Sequence, residues 1–269
     1  MPQFAANLAM MYSEHAFLDR FEAAAADGFR AVEYLFPYDY AAAELAVRLR
    51  DCGLRQALFN APPGDWAQGE RGIASLRARQ DEFRHGFREQ AIPYAVALSC
   101  PRLHVMAGLA QAGVDPQEQW ATYRDNLAWA AREAAREGIE VLIEPINPRD
   151  MPGYLLNRQD IAHRLVDELG LENLGVQMDL YHCQIAEGDL VTKLRRYLPE
   201  GRVRYIQIAG VPDRREPDSG ELAIQHLLLQ IDATGWKGTV GCEYRPLGNT
   251  RDGLGWFQTW RGSQQASEG

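Results

Sequence analysis

The chain is poor in cysteine, histidine and positive charge, and each shortage removes a class of function. Its 269 residues hold four cysteines, Cys52, Cys100, Cys183 and Cys242, scattered with no CxxC pair. That excludes a disulfide framework and reads as reduced thiols in a cytoplasmic protein. Lysine and arginine number 28 against 37 acidic residues, a net charge of −9, so no basic stripe for nucleic acid is expected. No apolar run approaches the roughly 18 residues of a membrane span. The N-terminus, MPQFAANLAMMYSEH, lacks the basic start of a signal peptide. Neither GxGxxG after an early strand nor GxxxxGK[ST] occurs, so a nucleotide fold lacks its usual marker.

A hydrophobic fraction of 46% and a charged fraction of 24% suit a soluble globular chain with a full core. Strand and helix patterns alternate along it. Apolar runs are expected as strands over 4–10, 31–36, 54–59, 102–106, 141–144, 174–179, 203–208 and 239–243. Helical patterns follow each, including 81–98, 157–169 with Asn157 as cap, 184–198 and a short one over 253–261. Continuous apolar strands alternating with helices imply a parallel sheet covered on both faces. Eight such units point to a single (β/α)8 TIM barrel over residues 1–261, followed by a polar tail, 262–269. A doubly wound open sheet is the alternative. The loop 60–74, rich in Pro, Gly and Trp, is long enough to be a lid or a substrate-binding segment.

Four strands in succession close on an oxygen-bearing side chain. Glu144 ends the run Val141-Leu142-Ile143 just before Pro145, Asp179 ends strand six, Gln207 stands near the end of strand seven, and Glu243 ends strand eight. In a barrel, the C-terminal strand ends converge on the face that carries active sites. Three carboxylates and an amide there suit a hard divalent cation, Mg²⁺ or Mn²⁺. Without a cation the carboxylates would repel one another. Cys242 is expected on the opposite face of its strand from Glu243.

The segments ANLAMMY (Ala6 to Tyr12), VEYLFPYDY (Val32 to Tyr40), GDWAQGERGIA (Gly64 to Ala74), LIEPIN (Leu142 to Asn147), QMDLYH (Gln177 to His182), IQIAGVPDRREPDSGE (Ile206 to Glu221), GCEYRP (Gly241 to Pro246) and GLGWF (Gly253 to Phe257) resemble the hydroxypyruvate isomerase family. That family belongs to the xylose isomerase-like TIM barrels, which also hold 2-oxo-tetronate isomerases and ketose 3-epimerases. The resemblance runs along nearly the whole chain. It implies Glu144 and Glu243 as an acid–base pair, and Glu144, Asp179, Gln207 and Glu243 as ligands of a divalent metal. His182 and Arg214 fall where the related epimerases contact substrate. Gln207 stands where many of the wider superfamily carry histidine, so the metal's identity, and whether turnover requires it, are left open.

The implied reaction interconverts hydroxypyruvate and 2-hydroxy-3-oxopropanoate through an enediolate. Isomerisation of a 2-oxo-tetronate, or epimerisation of a ketose, is the alternative on the same site. His182 is a candidate to polarise a substrate oxygen, and the Arg214 guanidinium suits a substrate carboxylate. Glu70 and Arg71, in the long loop, are further candidates to reach the substrate when that loop closes. His104 reads as a core histidine or one supporting the site from behind, and Trp256, Phe257 and Trp260 as packing against the outer ring. A multi-zinc endonuclease on this barrel would need more than six histidines and a basic face. A catalytically silent sugar-acid binder would not need both glutamates. The expected partner is a small 2-oxo acid, with neither nucleic acid nor membrane, and the oligomeric state, including a homo-oligomer, is left open.

Overall fold

A computed structural model describes residues 3–260. Its eight strands are β1 Gln3–Asn7, β2 Ala31–Glu33, β3 Arg55–Asn60, β4 Arg102–His104, β5 Glu140–Ile143, β6 Leu174–Asp179, β7 Val203–Ile208 and β8 Thr239–Cys242. All pair in parallel in sequence order, and β1 pairs with β8, so the sheet closes into a barrel. Closure is the expected (β/α)8 architecture and excludes the open sheet.

Side chains alternate across each strand, and that alternation builds the interior. Ala5, Ala31, Leu58, Leu142 and Tyr205, with Ala57, form a small cluster separate from the main core. Two residues further along each strand, on the same face, stand Asn7, Glu33, Asn60, Glu144 and Gln207. An apolar plug thus fills the barrel, with a polar layer directly above it. The larger core lies between sheet and helices and takes Cys242, on the opposite face from Glu243 as expected. Phe4 meets Trp256 edge-on at 5.5 Å, and Phe29 stacks on Phe257 at 4.2 Å, so the C-terminal aromatics pack as expected. The polar tail expected over 262–269 lies outside the described residues.

Three helices depart from expectation for identifiable reasons. The segment expected as one helix over 184–198 is two, Leu180–Ala186 and Leu190–Tyr197. Gly188 and Asp189 separate them with φ of 65° and 53°, which a right-handed helix cannot absorb. Asn157 does not cap the helix that follows it, Gln159–Leu169, whose N-cap position is Arg158. Its first free N–H, on Gln159, is instead accepted by Glu187 at 2.7 Å. The segment 81–98 widens to a π-helix over Phe87–Ala91 before resuming as Ile92–Ala97. Pro93, without an N–H to give the preceding turn, is the second residue of the resumed helix. Among the described residues no helix is long and apolar enough to cross a membrane.

Candidate active site

A cavity of about 670 Å³ opens at the C-terminal ends of the strands. Every strand delivers a polar side chain to that end of the barrel. Beyond the four read from sequence, β1 supplies Asn7, β2 Glu33, β3 Asn60 and β4 His104, and all of these line the cavity. Arg214, on the loop after β7, lines it too, as do Arg71 and Trp66 from the loop after β3.

Glu144, Asp179, His182 and Glu243 are all buried, and each places one ligand-type atom within 4.8 Å of the others. Oε1 of Glu144 and Oδ2 of Asp179 lack a hydrogen-bond partner among the described residues. Burial, then the charges of Glu243 and Asp179, raises the Glu144 carboxyl well above the usual range. Burial lifts Asp179 to about 7, against the pull of Arg214. Buried, mutually repelling oxygens without donors suit a hard divalent cation.

Gln207 reaches the same cavity, but its amide is already engaged. Its oxygen accepts from Gln177 at 2.6 Å, and its nitrogen donates to Glu33 at 2.9 Å. His182 is fixed as a hydrogen-bond donor to the site. Its Nδ1 lies 2.6 Å from the Asn147 side-chain nitrogen. That amide is oriented because its oxygen accepts from the Asp150 N–H at 2.9 Å. With Nδ1 accepting, the neutral ring carries its proton on Nε2, 3.6 Å from Asp179 Oδ2. Burial holds the ring neutral by lowering its pKa well below the usual value. In this tautomer His182 presents an N–H at Nε2, not a lone pair.

Arg214 bonds Glu243 Oε2 and approaches Asp179 Oδ2 at 3.5 Å. Its guanidinium lies 4.9 Å from the centre of the Tyr181 ring. Its backbone adopts a left-handed φ of 55°, a conformation costly for a side chain of this size. Main-chain bonds with Gly210 and Arg245, both 2.8 Å, hold it there. The sequence reading put this guanidinium on a substrate carboxylate; here it partners the carboxylates of the site itself. Glu70 also departs from expectation. It is ion-paired with Arg79, accepts from the Asp65 N–H, and does not line the cavity, whereas its neighbour Arg71 does. The loop's own fold turns Glu70 outward.

His104 behaves as a supporting histidine. Its Nδ1 lies 3.2 Å from Asn60 Oδ1 and 3.7 Å from Glu144 Oε2, and burial lowers its pKa to about 3. Glu33 was missed. Its carboxyl accepts from Asn7 and Gln207, both at 2.9 Å, and Asn7 also reaches Glu243 at 3.4 Å. A Cβ on Gly241 would lie 2.5 Å from Glu33 Oε2, so glycine clears the space this carboxyl fills. Burial and the charge of Glu243 raise Glu33 to about 8. The available signal was a lone carboxylate inside the apolar run Ala31 to Phe36.

These raised carboxyls give a pH dependence of stability. The folded metal-free chain holds protons at Asp179 and Glu33 that the unfolded chain releases near pH 4. Their contribution is complete below that value and is lost as pH rises through about 7 and about 8. The buried neutral His104 and His182 act oppositely, but only below their unfolded value of about 6.5. The Tm of the chelated protein is therefore expected to fall as pH rises from about 6.5 to about 8.5, with a shallower slope in Glu33→Gln. A Tm that climbs across this window in calorimetry contradicts the carboxyl assignment.

The xylose isomerase-like TIM barrel family model matches residues 21–260. A 2-oxo-tetronate isomerase of Cupriavidus necator is 58% identical over 97% of this chain and 100% of its own. A hydroxypyruvate isomerase of Escherichia coli is 42% identical, over 97% of this chain and 100% of its own. A solved structure from Brucella melitensis, described as an AP endonuclease of family 2, is 46% identical. It superposes with a TM-score of 0.93, covering 97% of this chain and 99% of that one.

Proposed function

The chain belongs to the xylose isomerase-like TIM barrel family, and from that premise we propose that it isomerises short 2-oxo acids, moving the carbonyl between C2 and C3. The observation that carries this reading is the buried pair Glu144 and Glu243, which line one cavity and cluster with Asp179. The identity of 58% to a 2-oxo-tetronate isomerase favours the four-carbon acid as the principal substrate. Hydroxypyruvate, the three-carbon reading, is supported by the 42% relative. The two acids share a carboxylate, a C2 ketone and a C3 carbinol, and differ by one hydroxymethyl group on C3. A cavity of about 670 Å³ has room for either.

One glutamate of the pair takes the C3 proton, and the electrons of that bond form the C2–C3 double bond of an enediolate. The other glutamate, or the same one, delivers a proton to C2. The proton of the C3 hydroxyl passes to the C2 oxygen, and the carbonyl is left at C3. Charge accumulates on two adjacent oxygens on the way, so a donor aimed at them lowers the barrier. The Nε2–H of His182 is such a donor. Glu144, Asp179 and Glu243 would hold the family's divalent cation, with Gln207 beside them; when bound it would supply positive charge to those oxygens. Arg214 offsets the charge of Asp179 and Glu243.

A nuclease reading fits less well. Two histidines, His104 and His182, line this cavity, too few for a multi-zinc centre, and the chain is acidic overall. The test is incubation with each 2-oxo acid in D₂O with Mn²⁺, followed by NMR of C3–H loss and of the product. Turnover of the four-carbon acid with the higher kcat/KM is expected. Neither exchange nor product on both acids would sink the isomerase reading.

A further inference from the structure

The acid–base centre leaves the substrate's carboxylate without a partner. Arg214 is taken up by Glu243 and Asp179. Arg149 is taken up by Asp150, the Tyr181 hydroxyl and the Pro212 carbonyl. Arg71 lines the same cavity and forms no ion pair among the described residues. Its Nη1 donates to the carbonyls of Trp66 at 3.2 Å and Glu70 at 2.7 Å. The Nε and Nη2 hydrogens remain, the parallel edge that grips a carboxylate with two bonds.

This guanidinium is built into place. It lies 4.0 Å from the centre of the Trp66 ring, which packs against Phe36 at 5.1 Å. Glu70, tied to Arg79 and to the Asp65 N–H, fixes the carbonyl that holds Arg71. The next residue, Gly72, has a φ of 107°, and a Cβ there would lie 2.5 Å from the Met106 carbonyl oxygen. The loop backbone therefore rests on the exit of β4, two residues beyond His104, whose ring lies 3.7 Å from Glu144. Two strand residues span about 7 Å, comparable to the length of a three- or four-carbon acid.

We propose that Arg71, laid over Trp66, binds the substrate carboxylate and sets the orientation in which C2 and C3 face Glu144 and Glu243. This rests on the 2-oxo acid reading and assigns the loop 60–74 the selection of acids over neutral ketoses. Arg245 also lines the cavity, but its side chain is exposed, which makes it the rival to exclude.

The experiment compares wild type with Arg71→Gln, Arg71→Lys and Arg245→Gln, all with Mn²⁺ present. Isomerisation of the four-carbon 2-oxo acid is measured beside calorimetric binding of two analogues that lack the ketone, glycerate and its neutral amide. Arg71→Gln is expected to raise KM and the Kd for glycerate by about 10- to 100-fold, with kcat far less changed and the Kd for the amide unaltered. Arg71→Lys, keeping charge but losing the two-pronged edge, is expected to fall between. Equal losses on acid and amide, or a loss confined to Arg245→Gln, would overturn the proposal. If wild type turned over neither 2-oxo acid yet bound glycerate in an Arg71-dependent way, the carboxylate site would stand and the isomerase reading alone would fail.

Discussion

Glu144→Gln is expected to lower kcat by about 10²- to 10⁴-fold while raising the Tm of the metal-free protein. The two effects have one cause. Glu144 is buried against Glu243 and Asp179 and has an oxygen with no donor. Its carboxyl is the group that can move a proton and also the group whose charge the fold opposes. Glutamine keeps the shape, removes the charge and cannot transfer the proton. Glu243→Gln is expected to cost a similar factor in kcat but to lower the Tm. It takes from Arg214 its closest carboxylate, and an arginine left with Asp179 at 3.5 Å loses much of its compensation. NMR exchange at C3 and thermal unfolding of both variants check this. Either variant keeping kcat within about tenfold of wild type would remove its glutamate from the acid–base pair.

A divalent cation is expected to raise the Tm of the chelated protein by about 5–10 °C. A ligand at 100 times its Kd contributes about 2.7 kcal/mol, and a chain of this size gains roughly 2–4 °C per kcal/mol. Asp179→Asn is expected to abolish the shift, since Asp179 offers the cluster a buried oxygen without a hydrogen-bond donor. The shift is expected to grow from pH 6 to pH 8, because the cation competes with protons on Asp179, raised to about 7, and on Glu144, raised well above the usual carboxylate range. Titration of Mn²⁺ and of Mg²⁺ followed by scanning calorimetry measures it. An equal shift in Asp179→Asn would place the bound ion elsewhere.

The barrel was legible because its strands are short apolar runs with sharp ends. The runs over 174–179 and 203–208 emerge as β6 and β7 with their bounds unchanged. Glu144, Asp179 and Glu243 could be singled out because each is a carboxylate at the close of such a run, where a loop begins. Glu33 carries the same mark but is followed by Tyr34, Leu35 and Phe36, so the strand seemed to continue past it. Sheet hydrogen bonding ends β2 at Glu33, which apolar character alone does not reveal. Helix ends that depend on distant partners were missed for a related reason. Gln159 is held by Glu187, 28 positions away, while the local pattern pointed to Asn157.

The sequence by itself determined the period of each element, and with it the order of strands and the oxygen-bearing residues at their ends, because these depend on neighbours one to four positions apart. Only the closed barrel decided which charges meet. Closure brings Asn7 within 3.4 Å of Glu243, 236 positions away. A left-handed backbone at Arg214 holds the residue whose guanidinium pairs with Glu243 and lies 3.5 Å from Asp179. In the loop after β3, the anchoring of Glu70 by Arg79 leaves Arg71, not Glu70, lining the cavity. Adjacent residues of opposite charge have nearly the same local propensities, and the packing of the loop against its neighbours selects which one reaches the site.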